Sequence, residues 1–508
     1  MRRGTALLLA GALALTLCAC GGGNLPEDPE PTESPSQTPT QARMFSLGYD
    51  PNAGLNPITG DSQVNQMLST LVFQGLYELD GQFQPQPVLA QSAQSDESGL
   101  VWTVTVAEDR SFSDGTRLTA SHVAASLNQA RNSTLFGSRL KQISSVRAVE
   151  NAVVITLSAP NGALPALLDI PVVLEGEDGL PLGTGRYCFA RKGDGLSLEA
   201  NPYYDGALPY ETIGLYPVTG TDARITSFDS GAVSAVITDV SSAYALGYSC
   251  DYESRDYATP QLLYVGFRAA GGPCASSVVR CALSRAFDRD EIVKILLAGH
   301  ADKAALPVSP LHVEYDSDTA AELDFDPAAA AELLSQAGYI KGEDGLLYSG
   351  RTALTLTLLV NSDNPRKTAI AEFLAASLTE LGVAVTVSKL PWKDYLAALN
   401  AGQFDLYLGE VRLTGDFDVT ELLTGSLNYG GYVSEELTAA LTARREASGA
   451  ARLQAAKELW AVFAREVPAA PLCFTRGSLL IRWGVAEGLS PTWGDPFHDM
   501  ENWQLVME

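Results

Sequence analysis

The sequence predicts an α/β fold, on three observations. Between residues 354 and 408 the hydrophobic period alternates between two and about 3.6: a strand over 354–360, a helix over 365–381, a strand over 383–390, a helix over 392–401 and a strand over 404–408. That order is the pattern of a parallel sheet with crossover helices. The stretch before it mixes alternating strands with single helices and loops rich in Gly and Pro, an α+β arrangement. Finally, the chain has 508 residues, 46% apolar and 19% charged. At roughly 100–200 residues per domain this is enough for two to four packed units, and it excludes collagen-like, disulfide-scaffold and disordered classes.

The elements follow in chain order. Arg2 and Arg3 precede an uncharged, largely apolar run over 6–17, which reads as an export signal. The run is too short to span a hydrocarbon core of about 30 Å. Leu17-Cys18-Ala19-Cys20-Gly21 resembles the lipobox of bacterial lipoproteins, in which the Cys is acylated. The resemblance assigns lipidation to Cys20, because cleavage before Cys18 places bulky Leu17 where a small residue is wanted. Residues 21–41 hold five Pro, four acidic residues and Leu25 as the only aliphatic side chain. Such a stretch cannot offset its ordering entropy by burial and reads as a tether. The folding part is 42–508.

Within it, Val101–Val106 alternates Trp102, Val104 and Val106 on one face of a half-buried strand. Ser113-Asp114-Gly115-Thr116 supplies a turn, and Thr119 caps a helix whose Val123, Leu127 and Ala130 share a face. A strand over 153–157 precedes a loop that ends in Gly183-Thr184-Gly185-Arg186-Tyr187. Asp288 and Glu291 form a capping box before Ile292 and Ile295. Asp326-Pro327 starts a helix that Gly338 ends, and Gly382 and Gly402 stop the two crossover helices. Ligands of parallel α/β sheets sit at the carboxyl ends of the strands, so the segment after Leu408 is the first place to look for a site.

The charge balance of 34 Lys+Arg against 60 Asp+Glu gives −26, which argues against phosphate-based nucleic-acid binding and against attraction to anionic membranes. After Cys20 the cysteines are Cys188, Cys250, Cys274, Cys281 and Cys473, an odd number; Cys274 and Cys281 are spaced to close a short loop or to lie buried as small apolar side chains. His122, His300, His312 and His498 show no metal spacing, and no metal or cofactor is expected.

Seven strings occur in order: LNPIT at 55–59, FQGLYELDG at 73–81, WTVTVAEDRSFSDGTRLTASHV at 102–123, GTGRY at 183–187, RCALSRAFDRDEIV at 280–293, FDPAAAAELLSQAGY at 325–339 and GQFDLYLGEVRL at 402–413, with Trp503 near the end. Together they resemble the family-5 extracellular solute-binding proteins of ABC importers, which capture oligopeptides, dipeptides, nickel chelates and some sugars. The resemblance implies a lipoprotein with two lobes joined by two crossing strands, a ligand cleft between them and an extra subdomain in the first. By it, lobe one comprises 42–87, 189–268 and 482–508, the inserted subdomain 88–188 and lobe two 269–481, after a signal peptide at 1–19 and a tether at 20–41. It further implies a monomer on the outer face of the cytoplasmic membrane or in the periplasm, held there by lipid on Cys20, with permease and ATPase subunits as partners and no enzymatic activity.

The same resemblance nominates site residues. In peptide-binding members an Asp beyond the FDL strand takes the peptide ammonium; here that position is Leu413, and Gln74 stands where many members have Glu. Glu410 or Asp416 is left to substitute for the missing carboxylates. Glu410 and Arg412 alternate and so share a face of an extended segment. Arg412 offers a guanidinium fork to a ligand carboxylate, or the pair neutralises itself. Trp392 stands where members place a Trp beside the ligand, and equally at a packed helix start. Tyr264 and Arg268 lie where lobe one runs toward lobe two; Arg268 is a second anion contact or an interlobe salt bridge. Tyr187 and Asp239 are weaker candidates.

Two other function classes compete. Ser138-Arg139-Leu140-Lys141 and Ser362-Asp363-Asn364 match strings of penicillin-interacting serine enzymes, but they lie 224 residues apart with no K-T-G following. A sensor lipoprotein that uses the same fold without delivering cargo is the alternative in another class.

Overall fold

The computed structural model describes residues 45–193, 195–239 and 247–505. The export signal, Cys20 and the tether lie outside the described residues. Two long strands organise the rest: Tyr252–Phe267 and Ala469–Arg482, paired antiparallel along most of their lengths. The register slips between Ala258 and Leu262, where Pro260 has no N–H to give to the ladder.

On one side of that slip the sheet continues through Ala235–Thr238, Ser46–Tyr49, Thr212–Pro217, Gly195–Ala200 and Tyr187–Lys192. On the other it continues through Leu406–Arg412, Thr355–Asn361 and Ala384–Leu390, with Ala301–Lys303 on the second long strand. The expected crossover unit is present: Thr355–Asn361 is parallel to both of its neighbours, and helices Pro365–Leu381 and Trp392–Asn400 connect them. Parallel pairing stops there. Leu406–Arg412 runs antiparallel to the long strand Tyr252–Phe267, so the whole sheet is mixed.

Local chemistry accounts for the element ends. Asn364 caps the first crossover helix by accepting the N–H groups of Arg366 and Lys367, and Gly382 ends it with φ +106°. Asp326 accepts from Ala329 at the next-door helix Pro327–Gln336, with Pro327 at its first position. Thr119 and His122 cap the helix Ala120–Arg131 reciprocally. Three main apolar cores result. The largest surrounds the crossover unit and includes Trp460, Phe463, Phe474 and Leu408. A second fills the four-stranded sheet of Ala90–Ser95, Val101–Val106, Ile143–Val149 and Ala152–Leu157 with the helix above it. The third holds Phe45, Leu47, Tyr187 and Trp503. The cysteines Cys188, Cys250, Cys274, Cys281 and Cys473 are all free thiols, so the short Cys274 to Cys281 loop is not closed.

The four-stranded unit touches the crossover half at several points. The Gly162 amide donates to the Arg445 carbonyl at 2.8 Å, Asn161 donates to the Asp416 carboxylate at 3.3 Å, and Lys141 pairs with Glu421. The Lys141 ammonium and the N–H and hydroxyl of Ser426 hold the Glu421 carboxyl down at about 2. A depressed carboxyl stabilises the fold above its unfolded value, and that contribution is lost as pH falls toward 2. The difference in Tm between the parent and Lys141→Met is therefore expected to shrink between pH 5 and pH 2, as read by calorimetric scans across that range.

Candidate functional site

The three parallel strands end on one edge of their half of the molecule, at Asn361, Leu390 and Arg412. The strand expected to stop at Leu408 runs on to Arg412, because each residue from Leu406 to Arg412 pairs with one from Phe267 back to Gln261. Glu410 and Arg412 are thus strand residues two apart on one face, as their alternation implied. They do not neutralise each other. Glu410 pairs with Lys367 in the first turn of the helix above it. Arg412 is exposed; its Nε approaches Gln261 Oε1 at 3.4 Å and its guanidinium lies over the Trp493 ring, 5.2 Å from the centroid. Among the described residues no carboxylate pairs with Arg412.

Trp392 opens the second crossover helix on the same edge, two strands away from Arg412, or about 10 Å at the usual strand spacing. Its amide donates to the Asp363 carboxylate at 3.0 Å; the residue is 53% exposed and its ring stacks on Tyr395 at 5.7 Å. Tyr395 is anchored in turn by its hydroxyl on the Leu408 carbonyl at 2.8 Å. The edge therefore presents an aromatic wall at one end, a guanidinium at the other and an ion pair between.

The remaining sequence candidates are placed differently. Leu413 is buried, its N–H donating to the Pro260 carbonyl at 2.9 Å, so the position that the resemblance assigns to an ammonium partner is apolar packing. Asp416 is 4% exposed; its carboxylate accepts from Asn161 and the Thr414 hydroxyl, and its carbonyl accepts from Arg444 and Arg452. Those bonds make it an anchor of the loop. Tyr264 sits beneath the strand against Gly409, its hydroxyl 3.4 Å from that of Tyr407. Burial raises both phenols, Tyr407 to about 12, so both stay neutral.

Arg268 lies at the opposite end of the long strand, roughly 20 Å from Arg412 by strand rise, and among the described residues it enters no ion pair. The interlobe salt bridge expected of it is thus not formed among the described residues. Gln74 accepts the Thr184 hydroxyl at 3.0 Å within the other half of the molecule. Tyr187 is a core residue bonded to the Tyr210 carbonyl, and Asp239 follows the strand Ala235–Thr238.

Sequence reasoning missed Trp493, Gln261 and Lys367. The only signal was the turn composition of Thr492-Trp493-Gly494-Asp495-Pro496, which says nothing of a neighbour near residue 412. It also missed a polar strip behind Trp493. Arg186 of the GTGRY string bonds Asp495 at 2.7 Å and Glu501 at 2.8 Å, tying that loop to the C-terminal segment. Glu78 and His498 lie beside it.

Residues 84–430 match the family described as bacterial extracellular solute-binding proteins, family 5 middle. The glutathione-binding protein GsiB of Salmonella typhimurium is 29% identical over 371 residues, 69% of this chain and 68% of that protein. The oligopeptide-binding protein AppA of Bacillus subtilis is 23% identical over 440 residues, 80% of each chain. Among solved structures, the unliganded open form of the periplasmic murein tripeptide binding protein MppA superimposes with a TM-score of 0.75 at 19% identity, covering 92% of this chain and 98% of that one.

Proposed function

Because the chain belongs to the family-5 bacterial extracellular solute-binding proteins of ABC importers, we propose that it captures a carboxylate-bearing solute of the peptide class between its lobes and hands it to a permease. The observation that carries the reading is Arg412: an exposed guanidinium with no carboxylate partner among the described residues, set at the carboxyl edge of the parallel strands and laid over Trp493 from the other side of the strand slip. A planar fork held by an aromatic face is preorganised to meet a carboxylate with two N–H donors. Trp392, on the same edge, supplies an apolar wall that tolerates varied side chains. Closing the lobes removes water from these contacts and creates a shape that a permease can distinguish from the open one.

The missing ammonium partner shapes the expected ligand. With Leu413 and Gln74 at the two positions where peptide-binding relatives carry acids, the ligand's carboxylate rather than its amine supplies the main charge contact. Glu410, already paired with Lys367, is the acid nearest to that edge on the same strand.

An extracellular family places the protein in the cell envelope, and no helix of the described residues is long and apolar enough to cross a membrane. Acylation of Cys20 is the anchor that this reading adds. The test is to denature the purified protein and identify the released compound by mass spectrometry. Refolded protein is expected to gain Tm in proportion to the logarithm of that compound's concentration. A flat response to peptides and other carboxylated solutes rejects the reading.

A further inference from the structure

Behind Trp493, three potential metal ligands from distant parts of the chain converge. Glu78 comes from the strand Tyr77–Leu79, and Asp495 and His498 from the C-terminal segment; one ligand atom of each lies within 4.8 Å of the others. The contact between Glu78 Oε1 and His498 Nδ1 is 3.5 Å. That is too long for a good charged hydrogen bond, which settles near 2.7–2.9 Å. It is the separation of two ligands on one ion: bonds of about 2.1 Å at a tetrahedral angle put their ends about 3.4 Å apart. Glu78 Oε1 is moreover buried and, beyond this loose ion pair with His498, receives no hydrogen bond, which leaves room for a cation between the two.

The surroundings suit a cation. Asp495 is 4% exposed, and its Oδ2 is held by Arg186 while its Oδ1 accepts the Phe497 N–H at 2.9 Å, which orients the carboxylate toward the other two. Asp499 stands 3.7 Å from His498 Nε2, the place of the outer carboxylate in carboxylate–histidine–metal triads. Around the imidazole stand the carboxylates of Glu78, Asp495 and Asp499, while the Arg186 guanidinium pairs with Asp495 and Glu501.

We infer that Glu78, Asp495 and His498 form a site for one divalent transition-metal ion of the zinc or nickel class. One imidazole and two carboxylates leave a coordination position open, and this donor set suits such ions better than magnesium or calcium, which take oxygen ligands. The ion ties the strand Tyr77–Leu79 to the segment carrying Trp493, and so stiffens the wall that faces Arg412. Metal binding at this site does not depend on solute capture.

The test is calorimetric titration of the solute-free, chelator-treated protein with zinc chloride, beside Glu78→Gln and His498→Gln. One equivalent is expected to bind the parent, each variant to lose roughly tenfold or more in affinity, and cobalt(II) to give a visible absorption band that His498→Gln lacks. Circular dichroism and Tm without metal verify that the variants fold, and Glu78→Gln keeps the shape of the side chain. Absence of saturable binding to the parent, or parental affinity in both variants, overturns the inference. Because no solute is present, either result leaves the capture reading standing, and failure of solute capture leaves this site standing.

Discussion

Replacing Arg412 by methionine is expected to weaken binding of the captured carboxylate by about 2 kcal/mol, or some 30-fold in Kd, while leaving the fold intact. The magnitude follows from losing a charge-assisted pair of hydrogen bonds at a partly enclosed edge. Methionine keeps the aliphatic stem but removes the guanidinium that lies over Trp493, so the loss reports the charge, the fork and its ring contact together. Arg412→Lys retains the charge but not the planar fork, and an intermediate affinity is expected of it. Because Arg412 is exposed and carries no ion pair among the described residues, the change in unfolding free energy should stay within about 0.5 kcal/mol. Isothermal titration with the compound identified by mass spectrometry decides the matter: unchanged affinity removes the carboxylate role from Arg412.

The largest effect on stability is expected at Glu314. Its carboxylate bridges Arg444 at 2.5 Å and Arg452 at 2.6 Å, and the three side chains are 4%, 3% and 9% exposed. Burial alone raises the Glu314 carboxyl, but the two guanidinium groups outweigh it and hold the group below its ordinary value. The arginines also bond the carbonyls of Asp416 and Phe417, and the Trp460 indole donates to the Glu314 carbonyl at 2.8 Å. Glu314→Ala strands two buried cations, and a loss of 3–5 kcal/mol is expected, of the order found when one partner of a buried pair is removed. Urea unfolding should show the midpoint falling with little change in m. A loss below about 1 kcal/mol shows that water reaches the arginines. Since this network holds the loop that follows Arg412, solute affinity is expected to fall as well.

How much of this was legible in the sequence varies by element. The crossover unit was, down to the ends of the helix Pro365–Leu381, because Asn364, Pro365 and Gly382 act within a few residues of themselves. The strand expected to end at Leu408 was not, because its last four residues are extended by pairing with the segment from Gln261 to Tyr264, far away in the chain. Its short alternating tail reads as an extended segment, with nothing local to name a partner strand. The two roles of the acids near residue 410 were equally hidden. Glu410 and Asp416 look alike in sequence, yet Lys367 takes one at the rim and Asn161, from the loop after the four-stranded sheet's strand Ala152–Leu157, bonds the buried other. Arg268 was left between a second anion contact and an interlobe salt bridge, and the antiparallel register sets it and Arg412 at opposite ends of one strand pair.

By itself the sequence determined the class of fold, the order of elements in the crossover unit, the family and the alternation that points Glu410 and Arg412 the same way. The fold class, the element order and the alternation are written in period, caps and local composition, which act over one or two turns; the family was implied by the resemblance of seven ordered strings. Only the tertiary structure decided that Trp493 lies under Arg412, that Asp416 is an anchor, and that Glu78 meets His498. Each of these depends on which strands lie side by side, and on where the two long strands slip past one another. Sheet order is chosen by the burial of whole faces rather than by any short stretch of residues.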